Sequence, residues 1–241
     1  MPTAIPHQPT RTRGQRRCRG GGPAALLAVL LALAVDLPAQ KPGGTGEQRM
    51  ANLGRCTLES GAAIESCQIG YRTFGRLNAA QDNAVLVPTW LYGNTADLLN
   101  LFGDGSSPTH LIDTGKFFGI AIDAFGDGVS SSPSNSTTQQ GPAFPAFTTR
   151  DMVEAEYRVV TEVLGLKHLH AVVGLSMGGE QTFVWAVTHP AFFDLAVPIL
   201  GTPRLTSYDL QVKEIMLGNL NARNWKDNTL MIFKTVVLLF E

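Results

Sequence analysis

The chain of 241 residues has only three cysteines, and 16% of its residues are charged. Three cysteines are too few for a disulfide-dense scaffold or a cysteine-held metal cluster, and no C-x-x-C spacing is present. No metal site and no cofactor are therefore expected. The net charge is −1, but residues 1–34 carry five arginines and no acid, which leaves −6 for the rest. A mildly acidic body lacks the clustered Lys and Arg that nucleic-acid binding needs. The longest apolar run is the twelve residues Ala24–Val35. A bilayer span takes about 20, so no stable membrane insertion is expected. Phosphate-binding patterns are missing too: there is no G-x-G-x-x-G and no Walker sequence. What the chain does have is 44% hydrophobic residues, enough to bury the core of one ordinary domain.

The N-terminus reads as an export signal. An Arg-rich segment leads into Ala24–Val35, and Ala32-Leu33-Ala34 supplies an A-x-A cleavage pattern. Pro38-Ala39-Gln40 offers a second site. The pair Arg16-Arg17 is followed by Cys-Arg-Gly, which fits a twin-arginine signal poorly. The expected organisation is a signal peptide over 1–34, a polar Gly-rich linker over 35–52, a core over 53–205, and a further region over 206–241. The mature protein is then periplasmic or extracellular. Of the cysteines, Cys18 leaves with the signal. Cys56 and Cys67 lie on two strand-like segments, Thr57–Ile64 and Gln68–Phe74, that can pair as a hairpin. In an oxidising compartment these two can form a disulfide; two separate buried thiols is the competing reading.

Along the mature chain, four short apolar runs read as buried strands: Ala84–Val87, Phe117–Ile122, Leu169–Val173 and Leu195–Leu200. Such runs suit a parallel sheet covered on both faces. Thr148-Thr-Arg-Asp151 has the form of a capping box. Val153, Tyr157, Val160 and Leu164 then recur at helical spacing, and Gly165 ends the helix. A second helix should run from Met177 to about Thr188, before Pro190. Strand–helix–strand alternation predicts an α/β class, a doubly wound, mostly parallel sheet. Residues 129–142, rich in Ser, Thr and Pro, read as a long surface loop.

The most informative stretch is Gly174-Leu-Ser176-Met-Gly178, a G-x-S-x-G with an apolar strand before it and a helix after it. That context is what a nucleophile elbow requires. The turn is tight, so a side chain at Gly174 or Gly178 would clash with strand or helix. Ser176 is the candidate nucleophile. The helix N-terminus beneath it favours the developing oxyanion of acyl transfer. One oxyanion donor should be the backbone N–H of Met177. The other should come from the loop Pro88–Gly93, with Leu91 preferred and Trp90 second, since no HGGG is present.

From about Ile69 to Gln211 the chain resembles the homoserine O-acetyltransferase-like branch of the α/β-hydrolases. The resemblance rests on YRTFGRLN (71–78), NAVLVPTWLYGN (83–94), LIDTGKFFGIAIDAFGDG (111–128), the stretch FTTRDM…THP (147–190) and AVPIL (196–200), in that order. It implies an α/β-hydrolase fold that is incomplete at the C-terminus, with an acyl-enzyme at Ser176. It also implies an oxyanion leucine at Leu91 and a substrate-binding glutamine at Gln181. Tyr208–Leu220 resembles the first helix of a lid, whereas the apolar Leu230–Glu241 matches nothing in the pattern. Two positions depart from the family: Thr89 stands where members usually carry His, and Phe125–Asn135 replaces a GGCxGSTGP-like loop.

A serine nucleophile needs a base within hydrogen-bond reach. His189 lies thirteen residues past Ser176, about 20 Å along a helix. His168 and His170 start the strand that ends at Ser176, about 20–26 Å away. His110 belongs to the same far edge, and His7 to the signal. Asp194, Asp209 and Asp227 follow the serine without a clear strand end to carry them. The expectation is an acyl-transfer enzyme acting on a small acyl ester or alcohol, and a truncated one. The alternative is an inactive remnant or binding protein. A homodimer is left open.

Overall fold

The computed structural model describes residues 43–204, together with Ser207 and Gln211. The signal segment and the lid segments expected beyond residue 205 lie outside the described residues. Nine strands and two α-helices are described. The strands are β1 (Gly43–Thr45), β2 (Arg49–Thr57), β3 (Ala63–Arg76), β4 (Ala84–Pro88), β5 (Phe102–Gly103), β6 (Ile112–Asp113), β7 (Phe118–Ile122), β8 (Leu169–Leu175) and β9 (Phe193–Ile199). The helices are α1 (Thr149–Arg158) and α2 (Met177–Thr188).

Seven strands form one sheet in the order β1-β3-β7-β4-β8-β9, with β2 also on β3. β7, β4, β8 and β9 run parallel, and the long β3 is antiparallel to β7 and to both N-terminal strands. Strands β4 and β7 are buried along their whole length, as an apolar run covered on both faces requires. On β9 the pattern fails. Leu195 is 51% and Val197 39% exposed, so among the described residues nothing covers a face of β9 that its sequence suggested was covered.

Within the expected linker over 35–52, residues 43–45 and 49–52 are strand, and residues 35–42 lie outside the described residues. Its polarity misleads because β2 buries only alternate residues, Ala51 and Leu53 among them. Register shifts on either side of Gly54 then break the alternation. Thr57–Ile64 is likewise not one strand. Leu58 and Ala62 close a turn between β2 and β3, with Gly61 at φ +82°. Cys56 and Cys67 lie on the two arms of this hairpin and are joined by a disulfide.

The capping box on α1 is present in both directions: Thr148 Oγ1 accepts from the Asp151 N–H, and Asp151 accepts from the Thr148 N–H. After Arg158 the helix widens into a π turn over Val159–Val163, and Gly165 ends it at φ +68°. The Ser-rich stretch after β7 is a surface loop over 134–142, but its first serines are not at the surface. Ser130 and Ser132 are fully buried. Strand β3 overruns β7, and the serines complete its exposed edge. Ser130 Oγ accepts from the Gly70 N–H and Ser131 Oγ from the Gln68 N–H, while the Ser131 N–H donates to the Gln68 carbonyl. Among the described residues no helix is long and apolar enough to cross a membrane.

Candidate active site

Parallel α/β sheets place their sites at the carboxyl ends of the strands. Ser176 sits there, between the end of β8 and the first residue of α2. Its backbone is at φ 55°, ψ −120°, outside the regions a serine adopts freely. Such a conformation costs about 1–3 kcal/mol and persists only where its surroundings hold it. Here the Ser176 N–H donates to the Ile199 carbonyl on β9 at 2.8 Å, and its own carbonyl accepts from the Glu180 N–H. The result is an exposed serine between buried neighbours, Gly174 and Met177.

The small residues around the serine are needed for contact. A Cβ on Gly174 would run into the Gly178 carbonyl, and one on Gly178 would lie 2.6 Å from the Pro88 carbonyl oxygen. A Cβ on Gly179 would meet the backbone of Gly201 at 3.1 Å. The first turn of α2 is therefore wedged between the end of β4 and the chain leaving β9. The sequence pointed to clashes at Gly174 and Gly178; the one at Gly179 was not legible, because its neighbour comes from more than twenty residues downstream.

Met177 is the first residue of α2, so its N–H has no acceptor inside the helix. Leu91 lies in the loop after β4, in the turn closed by the Gly93 N–H on the Trp90 carbonyl at 3.1 Å. Tyr92 takes φ 66° in that turn. The turn's hydrogen bond leaves the Leu91 N–H outside it. The loop is pinned at both ends. The Thr89 N–H donates to the Ile122 carbonyl, and Thr89 Oγ1 accepts from the Ala124 N–H. At the other end Thr95 gives its N–H to Asp123 Oδ1 at 2.6 Å and its hydroxyl to Asp123 Oδ2. Gln48 donates to the same carboxylate, and Arg72 donates to Thr95 Oγ1.

Gln181 is placed differently from the substrate contact expected of it. It is fully buried, and its Nε2 donates to the carbonyls of Thr89 and Met177. On α2 it packs against the start of the loop after β4, away from solvent.

The four described histidines are held elsewhere. His168 and His170 lie beside Asp194 at the amino end of β8, at 3.1 and 3.8 Å. His189 bonds Glu154 at 3.1 Å and stacks on Tyr157. His110 lies 3.5 Å from Asp104. Tyr92 is no substitute base near neutrality, since partial burial raises its phenol to about 12. Two buried acids elsewhere are also shifted. Burial, and then the charge of Asp123, push Asp127 up. Burial raises Glu156 to about 8, against the opposing bond from Trp185.

Residues 101–219 match the protein family described as the alpha/beta hydrolase fold. The chain belongs to the α/β-hydrolase fold family. Within it, the chain is 36% identical over 174 residues to an ethyl acetate hydrolase of Pseudomonas veronii, covering 71% of this chain and 49% of that protein. It is 36% identical over 163 residues to a homoserine O-acetyltransferase of Moorella thermoacetica, covering 62% and 43%. The crystal structure of an acetylester hydrolase from Corynebacterium glutamicum superposes with a TM-score of 0.69 at 35% identity, covering 73% of this chain and 50% of that one. This α/β-hydrolase chain thus spans about half the length of the relatives it matches.

Proposed function

We propose that Ser176 is the nucleophile of an acyl-transfer site that accepts small acyl esters. The observation that carries this reading is the strained, exposed Ser176 at the head of α2, facing a loop pinned at Thr89 and Thr95. In this reading Ser176 Oγ attacks the ester carbonyl. The Ser176 proton leaves as the O–C bond forms, and the carbonyl electrons move onto oxygen. The N–H groups of Met177 and Leu91 stabilise that oxyanion, and its collapse breaks the ester C–O bond, so that the alcohol leaves with a proton from solvent and acyl-Ser176 remains. Water then attacks the acyl-enzyme and releases the acid.

Water is the proposed acceptor rather than homoserine. Thr89, where homoserine acetyltransferases usually carry His, has its hydroxyl occupied by the Ala124 N–H. The esterase-type relatives support the same choice. So does the proposed export of the protein, since acyl-coenzyme A donors are cytosolic. The four described histidines lie away from Ser176, so proton transfer from Oγ relies on solvent or on a group outside the described residues. A site with nucleophile and oxyanion donors but no base retains about 10³–10⁴-fold acceleration over water.

The test is p-nitrophenolate release from p-nitrophenyl acetate by the chain and by Ser176→Ala. A small release in excess of the variant, unchanged by added homoserine, is expected. The second reading, a binding protein without turnover, is favoured by the placement of the histidines. It predicts equal release from both proteins, and that result would sink the acyl-transfer reading.

A further inference from the structure

Gln181 sits on α2 five residues past Ser176 and is completely buried. Its amide has two hydrogens, and each has a defined acceptor. One goes to the Thr89 carbonyl at 3.0 Å and the other to the Met177 carbonyl at 3.3 Å. Met177 is one proposed oxyanion donor, and Thr89 opens the loop that carries the other. A single side chain thus grips the backbone beside both donors.

The Thr89 bond sets the orientation of a whole peptide group. In a trans peptide the C=O and the next N–H point in opposite directions and share one plane. Holding the Thr89 carbonyl against α2 therefore fixes the Thr89–Trp90 plane. The turn that presents the Leu91 N–H starts at Trp90. The other contacts at this seam reinforce the seat without replacing the bond. Gly178 packs against the Pro88 carbonyl, and Thr89 Oγ1 takes the Ala124 N–H. Oxyanion donors act through fixed geometry, and misplacement by about 1 Å removes much of their effect.

We propose that Gln181 is a positioning residue that locks the oxyanion loop to the nucleophile helix, so that the Leu91 and Met177 N–H groups move as one unit. This deepens the Ser176 reading and rests on it for its catalytic consequence. The lock itself can be measured separately.

The experiment compares amide exchange in the full chain and in Gln181→Met, which keeps similar bulk and has no donor. Two amides report on the loop: Gly93, bonded to the Trp90 carbonyl, and Ala124, bonded to Thr89 Oγ1. Loss of a hydrogen bond at a buried seam should speed exchange at both by about tenfold. The Leu169 amide, bonded to the Phe192 carbonyl at the opposite end of β8, should not change. In the same variant, Ser176-dependent p-nitrophenolate release should fall about tenfold in kcat with KM within about twofold, because a positioning defect acts on the transition state. Unchanged exchange at Gly93 and Ala124 would overturn the proposal. If the wild-type chain shows no Ser176-dependent release, the acyl-transfer reading fails and the exchange comparison still decides the lock. If Gln181→Met does not fold, Gln181→Leu takes its place, an apolar side chain that offers no donor to Thr89.

Discussion

Of the buried polar side chains on the two helices, Gln181 had a sequence signal and Glu156 had none. Gln181 stands in the motif region, and its position was legible although its partner was not. Glu156 is buried on α1, where the Trp185 indole N–H donates to its Oε2 at 2.7 Å across a separation of 29 residues. Only the packing of α1 on α2 creates that environment. A carboxyl group in such a place titrates near 8 rather than near its usual 4.5. The folded state therefore holds a proton that the unfolded chain releases. Its stabilising contribution is full below about 4.5 and is lost as the pH rises through about 8. Glu156→Gln keeps an acceptor for Trp185 and removes the titration. The variant should melt close to wild type at pH 5 and several degrees above it at pH 9, as read by circular dichroism. A constant difference across that range would show that Glu156 is not the group responsible.

At the level of elements, apolar runs were legible and amphipathic edges were not. Strands β4, β7 and β8, both helices and the Thr148–Asp151 cap follow directly from runs, periodicity and capping residues. Strand β1 and the first four residues of β2 read as linker because they are polar and largely exposed. The buried serines at 130–132 were read as surface because a serine's role depends on which backbone it meets. The β2–β3 hairpin carries the Cys56–Cys67 disulfide, eleven residues apart in sequence. A loop of that size stabilises by about 2–3 kcal/mol through the unfolded chain. Cys56→Ala/Cys67→Ala should lower the urea midpoint accordingly, with the slope little changed. A midpoint equal to that of the wild type would mean that the hairpin needs no covalent closure.

On the scale of the whole molecule, the chain matches about half the length of its α/β-hydrolase relatives, and the strand–Ser176–helix turn lies in that half. Strand β9 ends that half with Leu195, Val197 and Leu200 exposed. The far side of β9 has no strand partner among the described residues. Edges of this kind favour association with other chains. Export is argued at this scale as well, because the five arginines and the twelve-residue apolar run act together. Residues 1–40, fused to a reporter that is active only outside the cytosol, should give activity that deletion of Ala24–Val35 abolishes. Equal activity with and without the run would remove the export proposal and, with it, one reason for choosing water as acceptor. The central claim is more direct: the elbow makes Ser176 reactive. Brief incubation of the full chain with p-nitrophenyl acetate, followed by peptide mass analysis, tests it. The account predicts one acetyl group on the peptide carrying Ser176 and none in Ser176→Ala. An unmodified Ser176, or acetylation spread over surface lysines alone, would contradict it.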